Sequence, residues 1–472
     1  MASIKFGTDG WRGVIADDFT FDNVALCAQG VARYLQEQGA VDGSLVVGYD
    51  TRFASREFAE RVAEVMAGNG IPTLLTSSPA PTPVVSYNVL HRKAPGAAII
   101  TASHNPAGWN GFKFKPDYAG SATPEITDRL EAEIGEAEAA GVRSLPLETA
   151  RGRGLVRDLD PAPPYLEQVA RLVDLEAISQ SGIHVVVDAM YGAGAGYGAA
   201  LLPRLATLTE IHGHVNPAFP GLERPEPVDS NLADLSQAVL ERGADVGIAF
   251  DGDADRVGIV DEKGRFITPL QTYGLLALYL LEARGERGAL VKSLTTTSMV
   301  YSLGERYGVP VFETAVGFKH ICPIMIRENA LMGGEESGGF GFRGHIPERD
   351  GLLSGLLVLE QMARSGKRPS ELLEELYGLV GPHHYRRRDR SFPAEDRDRL
   401  SARLEQAEPD RIAGTRVVRA DSLDGRRYTL AGNEWVLMRF SGTEPLLRTY
   451  AEAGSPEKVE ALLDAAEELL GL

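Results

Sequence analysis

Short apolar, β-branched runs that break abruptly into polar loops recur along this chain, and they restrict what it can fold into more than any other feature. Residues 45–49 run into Asp50-Thr51-Arg52, residues 96–102 into Ser103-His104-Asn105-Pro106, and residues 183–187 into the glycine-rich segment 192–198. Residues 246–250 run into Asp251-Gly252-Asp253-Ala254-Asp255-Arg256. Residues 288–291, 309–312 and the pair Leu331-Met332 repeat the design, reaching polar loops at 293–298, 313–319 and 333–339. Helical periodicity lies between the runs, as from Ser55, where Phe58, Val62, Val65 and Met66 fall on one face. Strand, loop and helix in alternation read as an α/β protein.

At 472 residues the chain exceeds one ordinary core, and its length suggests about three or four domains. Thr123 and Pro124 open an acidic helix as N-cap and first helical residue, and the Ala-, Gly- and charge-rich stretch 136–160 is read as the exit from the first unit. Pro161, Pro163 and Pro164 punctuate the boundary, and Glu262-Lys263-Gly264 reads as a closing hairpin turn. After Gly381-Pro382 the pattern changes to short strands near 384–392, 415–419, 427–431, 435–440 and 446–452 with two helices. The expected organisation is three similar mixed α/β units, 1–158, 159–264 and 265–380, followed by an α+β unit over 381–472.

The apolar fraction of 43% and charged fraction of 24% are those of globular proteins. The formal charge of −18, from 48 basic and 66 acidic residues, disfavours nucleic acid and anionic membranes as partners, so a phosphate ligand needs a local cationic cluster. The first residues hold no apolar signal region and no window is long and apolar enough for a membrane span, so a cytoplasmic protein is expected. Cys27 and Cys322 lie far apart without metal-site spacing, and read as buried thiols.

Four constellations carry chemistry. Ser103 sits where a strand breaks, with Pro106 holding Asn105 out of helical geometry; it reads either as a turn cap or as a nucleophile. Asp251, Asp253 and Asp255, at alternate positions of an extended segment, can converge on one hard cation, with magnesium the natural candidate. Glu262 falls at the twelfth position of an EF-hand loop, but Arg256 stands where that loop needs glycine. Glu335 and Ser337, in the glycine-flanked loop 333–339, suit the hydroxyls of a polyol, with 345–351 close behind. Arg439, Ser441, Gly442 and Thr443, with Arg448 on the next strand, suit a dianionic phosphate. A G-x-G-x-x-A match at 194–199 could signal a dinucleotide, although tight strand-to-helix packing explains it equally well. No G-x-S-x-G elbow surrounds Ser103, which argues against a Ser103-His104 hydrolase.

In this order, with residues 7–13 at the start, these motifs resemble the α-D-phosphohexomutase superfamily, the phosphoglucomutase and phosphomannomutase enzymes, along nearly the whole chain. The resemblance implies four domains around a central cleft, one motif from each. Ser103 looks like a phosphoserine that exchanges its phosphoryl group with a hexose phosphate through glucose 1,6-bisphosphate. Asp251, Asp253 and Asp255, with Ser103, look like ligands of one magnesium ion, and Arg256 would lie near the reacting phosphate. Arg12, His104 and Lys113 are placed with the catalytic group, Lys113 as the candidate for acid/base help with its pKa lowered by burial beside cations. Glu335, Ser337, His345 and Arg349 would contact the sugar, and Arg439, Ser441, Gly442, Thr443 and Arg448 the phosphate not undergoing transfer. Gly338-Gly339 stands where mannose-active relatives often have Gly-His, and Gly317-Phe318 where they often carry His after the glycine. The loops look closer to glucose-preferring members, some of which have lysine in the place of Arg349. The expected activity interconverts glucose 1-phosphate and glucose 6-phosphate, in a monomer or homodimer. The alternatives are mannose phosphates, alone or as a second substrate, and a non-catalytic sugar-phosphate-binding protein; a glucosamine-phosphate enzyme ranks behind the glucose and mannose readings.

Overall fold

The computed structural model describes residues 4–7, 9–203, 207–441 and 445–472. Among these residues the strands form four separate sheets. The first has six strands in the order Trp11–Val14, Trp109–Pro116, Gly96–Ile100, Leu45–Tyr49, Thr73–Thr76 and Val156–Leu159. Trp109–Pro116 runs antiparallel to both neighbours, while the strands beyond it pair in parallel. Gly96–Ile100 and Leu45–Tyr49 are buried throughout, and alternate residues serve different cores. Leu45, Val47, Ala98 and Ile100 pack with helices Phe21–Glu37, Ser55–Gly68 and Pro124–Ala140, whereas Val46, Ala97 and Ile99 face helix Thr82–Arg92.

That second core continues into the next two units. The second sheet is ordered Phe266–Ile267, Val257–Asp261, Val246–Phe250, Val185–Asp188, Leu208–Ile211, and the third Val311–Thr314, Leu290–Ser293, Met332–Gly334, Phe340–Phe342. One apolar cluster joins Val46 and Ile99 to Val185 and Ile248, to the helix Gly351–Ser365, and to Leu290 and Met332. A continuous core of this kind holds the strand ends of three units in fixed relation. The fourth sheet is antiparallel, ordered His384–Ser391, Leu446–Ala453, Trp435–Phe440, Arg426–Leu430, Thr415–Asp421, Arg411–Ile412. Helices Arg397–Gln406 and Pro456–Leu470 share its own core.

Two stretches differ from expectation. The polar segment after Ser103 becomes the strand Trp109–Pro116, because it has a partner on each side. The stretch 136–160 contributes helix Leu147–Gly152 and strand Val156–Leu159, whose buried ends Val156 and Leu159 flank two exposed residues. The Glu262 turn does join the antiparallel strands Val257–Asp261 and Phe266–Ile267. The Glu262 carboxylate accepts hydrogen bonds from Ser370, away from the aspartate triplet. The glycines of 192–198 pack against the aspartate loop: a Cβ on Gly192 would meet Gly252 O at 2.8 Å, and one on Gly194 would meet Ala254 at 3.2 Å. Close packing thus accounts for that segment.

Candidate active site

Ser103 follows the first unit's Gly96–Ile100 strand and takes a left-handed backbone conformation, φ 49°. A non-glycine residue holds this conformation only where its surroundings over-determine it. Here Arg52 does so: its guanidinium donates to the carbonyls of Ser103 at 2.7 Å, Asn105 at 2.6 Å and Pro106 at 2.8 Å, and pairs with Asp50 at 3.3 Å. Thr101 Oγ1 accepts from the Ser103 amide at 2.9 Å. The buried hydroxyl so fixed donates to Asp251 Oδ2 at 2.7 Å and lies 3.2 Å from His104 Nδ1. Burial, reinforced by Arg256, Arg12, Lys113 and Arg349, holds the His104 pKa well below its usual value, leaving a neutral ring beside the serine at neutral pH. Arg12, on the edge strand, donates to Asn105 Oδ1 at 2.5 Å.

Asp251, Asp253 and Asp255 follow the second unit's Val246–Phe250 strand in a turn, with Ala254 at φ 54°, and not in the extended segment expected; one carboxylate oxygen from each lies within 4.8 Å of the others. All three residues are fully buried. Burial, with Asp253 and Asp255 nearby, pushes Asp251 well above the usual carboxylate range. Asp253 Oδ1 and Asp255 Oδ1 are buried without a hydrogen-bond partner among the described residues. Crowded carboxylates with unused oxygens call for a cation.

Lys113 partly meets that need, with its Nζ 2.8 Å from Asp253, 2.8 Å from Asp9 and 3.2 Å from Asp255. Burial alone would lower its pKa, but those three carboxylates raise it. The expectation of a lowered lysine pKa is therefore corrected: its close neighbours are anions, and they keep it charged. Asp9 also bonds Lys115 at 2.8 Å and Arg349 at 2.7 Å. Burial would raise its pKa, but Lys113, Lys115 and Arg349 hold it well below the usual range. Arg256 donates its amide to Asp251 Oδ1 at 3.1 Å and its guanidinium to Glu226 at 2.6 Å.

From the third unit, Arg349 reaches Asp255 at 2.8 Å and Glu335 at 3.5 Å. Burial raises the Glu335 pKa, which Arg349 and Arg256 only partly offset. Its Oε1 accepts from the Gly317 amide at 2.9 Å. Ser337 Oγ is buried and has no partner among the described residues, as a hydroxyl kept for a ligand would be. His345 is placed differently from expectation. Its Nε2 is bonded to Asp350 at 2.9 Å, its ring stacks on Tyr87 at 5.6 Å, and its side chain is 1% exposed. Asp350 in turn caps helix Gly351–Ser365 and accepts from Tyr165, so His345 belongs to a packing network.

In the fourth unit Arg439 and Arg448 are directly opposed on paired strands, which puts two guanidiniums on one face. Arg439 Nε is 2.7 Å from Asp424, and Arg448 Nε is 3.9 Å from Asp389. The Ser441 amide donates to Leu446 O at 2.8 Å and its carbonyl accepts from Arg397 at 2.6 Å. Gly442 and Thr443 lie outside the described residues.

Sequence profiles of the phosphoglucomutase/phosphomannomutase family match in series: alpha/beta/alpha domain I over residues 3–140, domain II over 163–264, domain III over 268–380, and the C-terminal domain over 386–469. The chain belongs to the α-D-phosphohexomutase superfamily. Among its relatives, a phosphoglucomutase/phosphomannomutase of Thermococcus kodakarensis is 32% identical, over 98% of both chains. A phosphoglucosamine mutase of Carboxydothermus hydrogenoformans is 30% identical, over 97% of both. The crystal structure of a Thermus thermophilus protein assigned as a phosphomannomutase superposes with a TM-score of 0.86, at 38% identity over 99% of both chains.

Several groups at this superfamily member's site escaped the sequence reading. Asp9, Arg52, Glu348 and Asp424 act on residues tens to hundreds of positions away. Glu348, fully buried, accepts from Lys115 at 2.5 Å and Ser121 at 2.7 Å. Thr82 donates to Asp253 at 2.6 Å, and Tyr385 ties Glu336 to the fourth unit at 3.0 Å. Asp9 stood in the Gly7–Gly13 motif, Arg52 in the polar loop after residues 45–49 and Glu348 in the run 345–351, but none of the three was given a role there.

Proposed function

We propose that the chain interconverts glucose 1-phosphate and glucose 6-phosphate through a phosphoryl group carried on Ser103 and a glucose 1,6-bisphosphate intermediate. The observation that carries this reading is the buried Ser103 Oγ, 2.7 Å from one member of a three-carboxylate cluster. In the proposed cycle the O–P bond at Ser103 breaks and the phosphoryl group bonds to a free hydroxyl oxygen of the sugar monophosphate, whose proton is released. The bisphosphate turns round, its other sugar O–P bond breaks as that phosphoryl group bonds to Ser103 Oγ, and the sugar oxygen so freed takes up a proton, balancing the one released in the first transfer. Arg52 fixes the serine backbone, and neutral His104 can hydrogen-bond Oγ without adding charge. Lys113, whose pKa burial would lower but the carboxylates of Asp253, Asp9 and Asp255 raise, brings positive charge to the reacting group. Arg12 and Arg256 add positive charge for phosphoryl oxygens.

Asp251, Asp253 and Asp255, with a phosphoseryl oxygen, would hold one magnesium ion, and the two unpartnered carboxylate oxygens fit an oxygen-preferring cation. When bound, the ion spreads negative charge on the phosphoryl group in transfer. Glu335 and Ser337 accept and orient sugar hydroxyls, while Arg439, Arg448 and Ser441, with Gly442 and Thr443 next in the sequence, hold the remaining phosphate.

The loop 335–337 and Gly339 support glucose, whereas the names of the Thermococcus and Thermus relatives favour a second reading in which mannose phosphates are accepted as well or instead. Purified protein with magnesium and a trace of bisphosphate, assayed in parallel on glucose 1-phosphate, mannose 1-phosphate and glucosamine 1-phosphate, separates them. Higher kcat/KM on the glucose ester is expected. Binding without turnover of any ester would contradict an enzyme.

A further inference from the structure

Val316 and Gly317 are consecutive, and their amides hold two carboxylates of different units. The Val316 amide donates to Asp424 Oδ2 at 3.1 Å, and the Gly317 amide donates to Glu335 Oε1 at 2.9 Å. Asp424 belongs to the fourth unit, and its other oxygen, Oδ1, takes Arg439 Nε at 2.7 Å. An unbroken path therefore runs from the sugar-loop carboxylate, through two adjacent peptide groups, to an arginine of the phosphate cluster.

The backbone is built for this. Gly317 has φ 119° and ψ 131°, a conformation that a residue with a Cβ rarely adopts. The Val316 side chain packs against Leu294, Trp435, Leu437 and Tyr450, an apolar cluster spanning the third and fourth units. Beside it, the buried Glu452 of the fourth unit accepts from Thr297, Ser298 and Trp435. On the Asp424 side, Gly425 has φ 93°, and a Cβ there would lie 2.5 Å from Met438 O and 3.0 Å from Arg439 Cβ, so the Asp424 turn lies against the arginine it holds.

We infer that Asp424 is a positioning residue that makes phosphate capture by Arg439 conditional on the sugar loop being in place. The inference rests on the hexose-phosphate reading above. A carboxylate can serve a backbone amide and a guanidinium at once; an amide of the same shape has one acceptor oxygen and satisfies only one of them. Losing a hydrogen bond to a charged group corresponds to roughly tenfold in binding.

The test is calorimetric binding of glucose 6-phosphate to the full chain, as wild type, Asp424→Asn, Gly317→Ala and the double variant. About tenfold weaker binding is expected for each single variant, with the double variant little worse than either, because both break one path. Wild-type affinity in Asp424→Asn, or losses that simply add in the double variant, would overturn the inference while leaving the hexose-phosphate reading intact. Failure of the wild type to bind glucose 6-phosphate would overturn both. Hydrogen exchange on the wild type alone supplies a check independent of how the variants fold. Glucose 6-phosphate should slow exchange at Val316 and Gly317 several-fold, and unchanged exchange there at saturation would count against the coupling.

Discussion

Gly339 and Arg349 occupy one space: a Cβ on Gly339 would lie 2.3 Å from Arg349 Cδ and 2.7 Å from Cγ. The arginine crosses the volume a side chain would fill, and from there it reaches Asp9, Asp255 and Glu335. Gly339→Ala should therefore displace Arg349, costing about 1–3 kcal/mol of stability as overpacking does. A loss of about tenfold in kcat/KM should accompany it, since roughly 1.4 kcal/mol of lost positioning has that effect. Denaturant unfolding and steady-state kinetics check both, and wild-type values would show that Arg349 moves aside freely.

Lys113→Met leaves Asp253 and Asp9 without a cation each now bonds. Removing one partner of a buried ionic cluster costs about 3–5 kcal/mol. The variant should thus lose stability as well as turnover, and equilibrium unfolding without added metal measures the first effect alone. Unchanged stability would mean that the cluster relaxes or takes up protons at little cost.

The junction between the third and fourth units should weaken in acid. Burial would raise the Glu313 pKa, but Arg427 and Lys292 hold it well below the usual carboxylate range. Arg427 bonds both Glu313 oxygens, at 2.6 and 2.5 Å, and Lys292 lies 3.0 Å away. A carboxylate whose folded pKa is depressed below its unfolded value of about 4.3 contributes fully above that value and loses its contribution as pH falls. Glu313→Gln should start less stable near about pH 6 and lose less stability down to about pH 3. Parallel stability profiles for the two proteins would contradict this.

Magnesium should stabilise the folded chain, because the aspartate triplet gathers only on folding. At about 100 times its dissociation constant a ligand confined to the folded state adds about 2.7 kcal/mol. Thermal unfolding with and without magnesium should show the gain in wild type and a smaller one in Asp253→Asn. An equal gain in both would place the ion elsewhere.

What was legible in the sequence follows physical locality. Asp251, Asp253 and Asp255 are two residues apart, near enough in the chain to be read as one cluster, although the segment folds as a turn with Ala254 at φ 54° and only the folded loop sets how the carboxylates converge. Ser103 was legible as the break at the end of an apolar strand. The charge of Lys113 was not, because it depends on Asp9, next to the neighbouring strand of its own sheet, and on Asp253, which follows a strand of the second sheet. Nor was the strand Trp109–Pro116, whose polar residues Asn110, Lys113 and Lys115 are buried among partners that a one-dimensional pattern does not contain. His345 followed the sugar loop closely in sequence and was read with it, yet Tyr87 and Asp350 draw it into a packed network. The coupling of Asp424 to Val316 joins residues 108 positions apart, and only the packed interface shows it.

The central claim is that Ser103 carries the phosphoryl group. Intact-mass measurement after incubation with glucose 1,6-bisphosphate and magnesium, followed by peptide mapping and assay of the same samples, tests it most directly. The wild type should gain one phosphate on Ser103, and Ser103→Ala should gain none and lose turnover. Turnover at the wild-type rate in Ser103→Ala, or an active wild type whose phosphate maps to another residue, would contradict it.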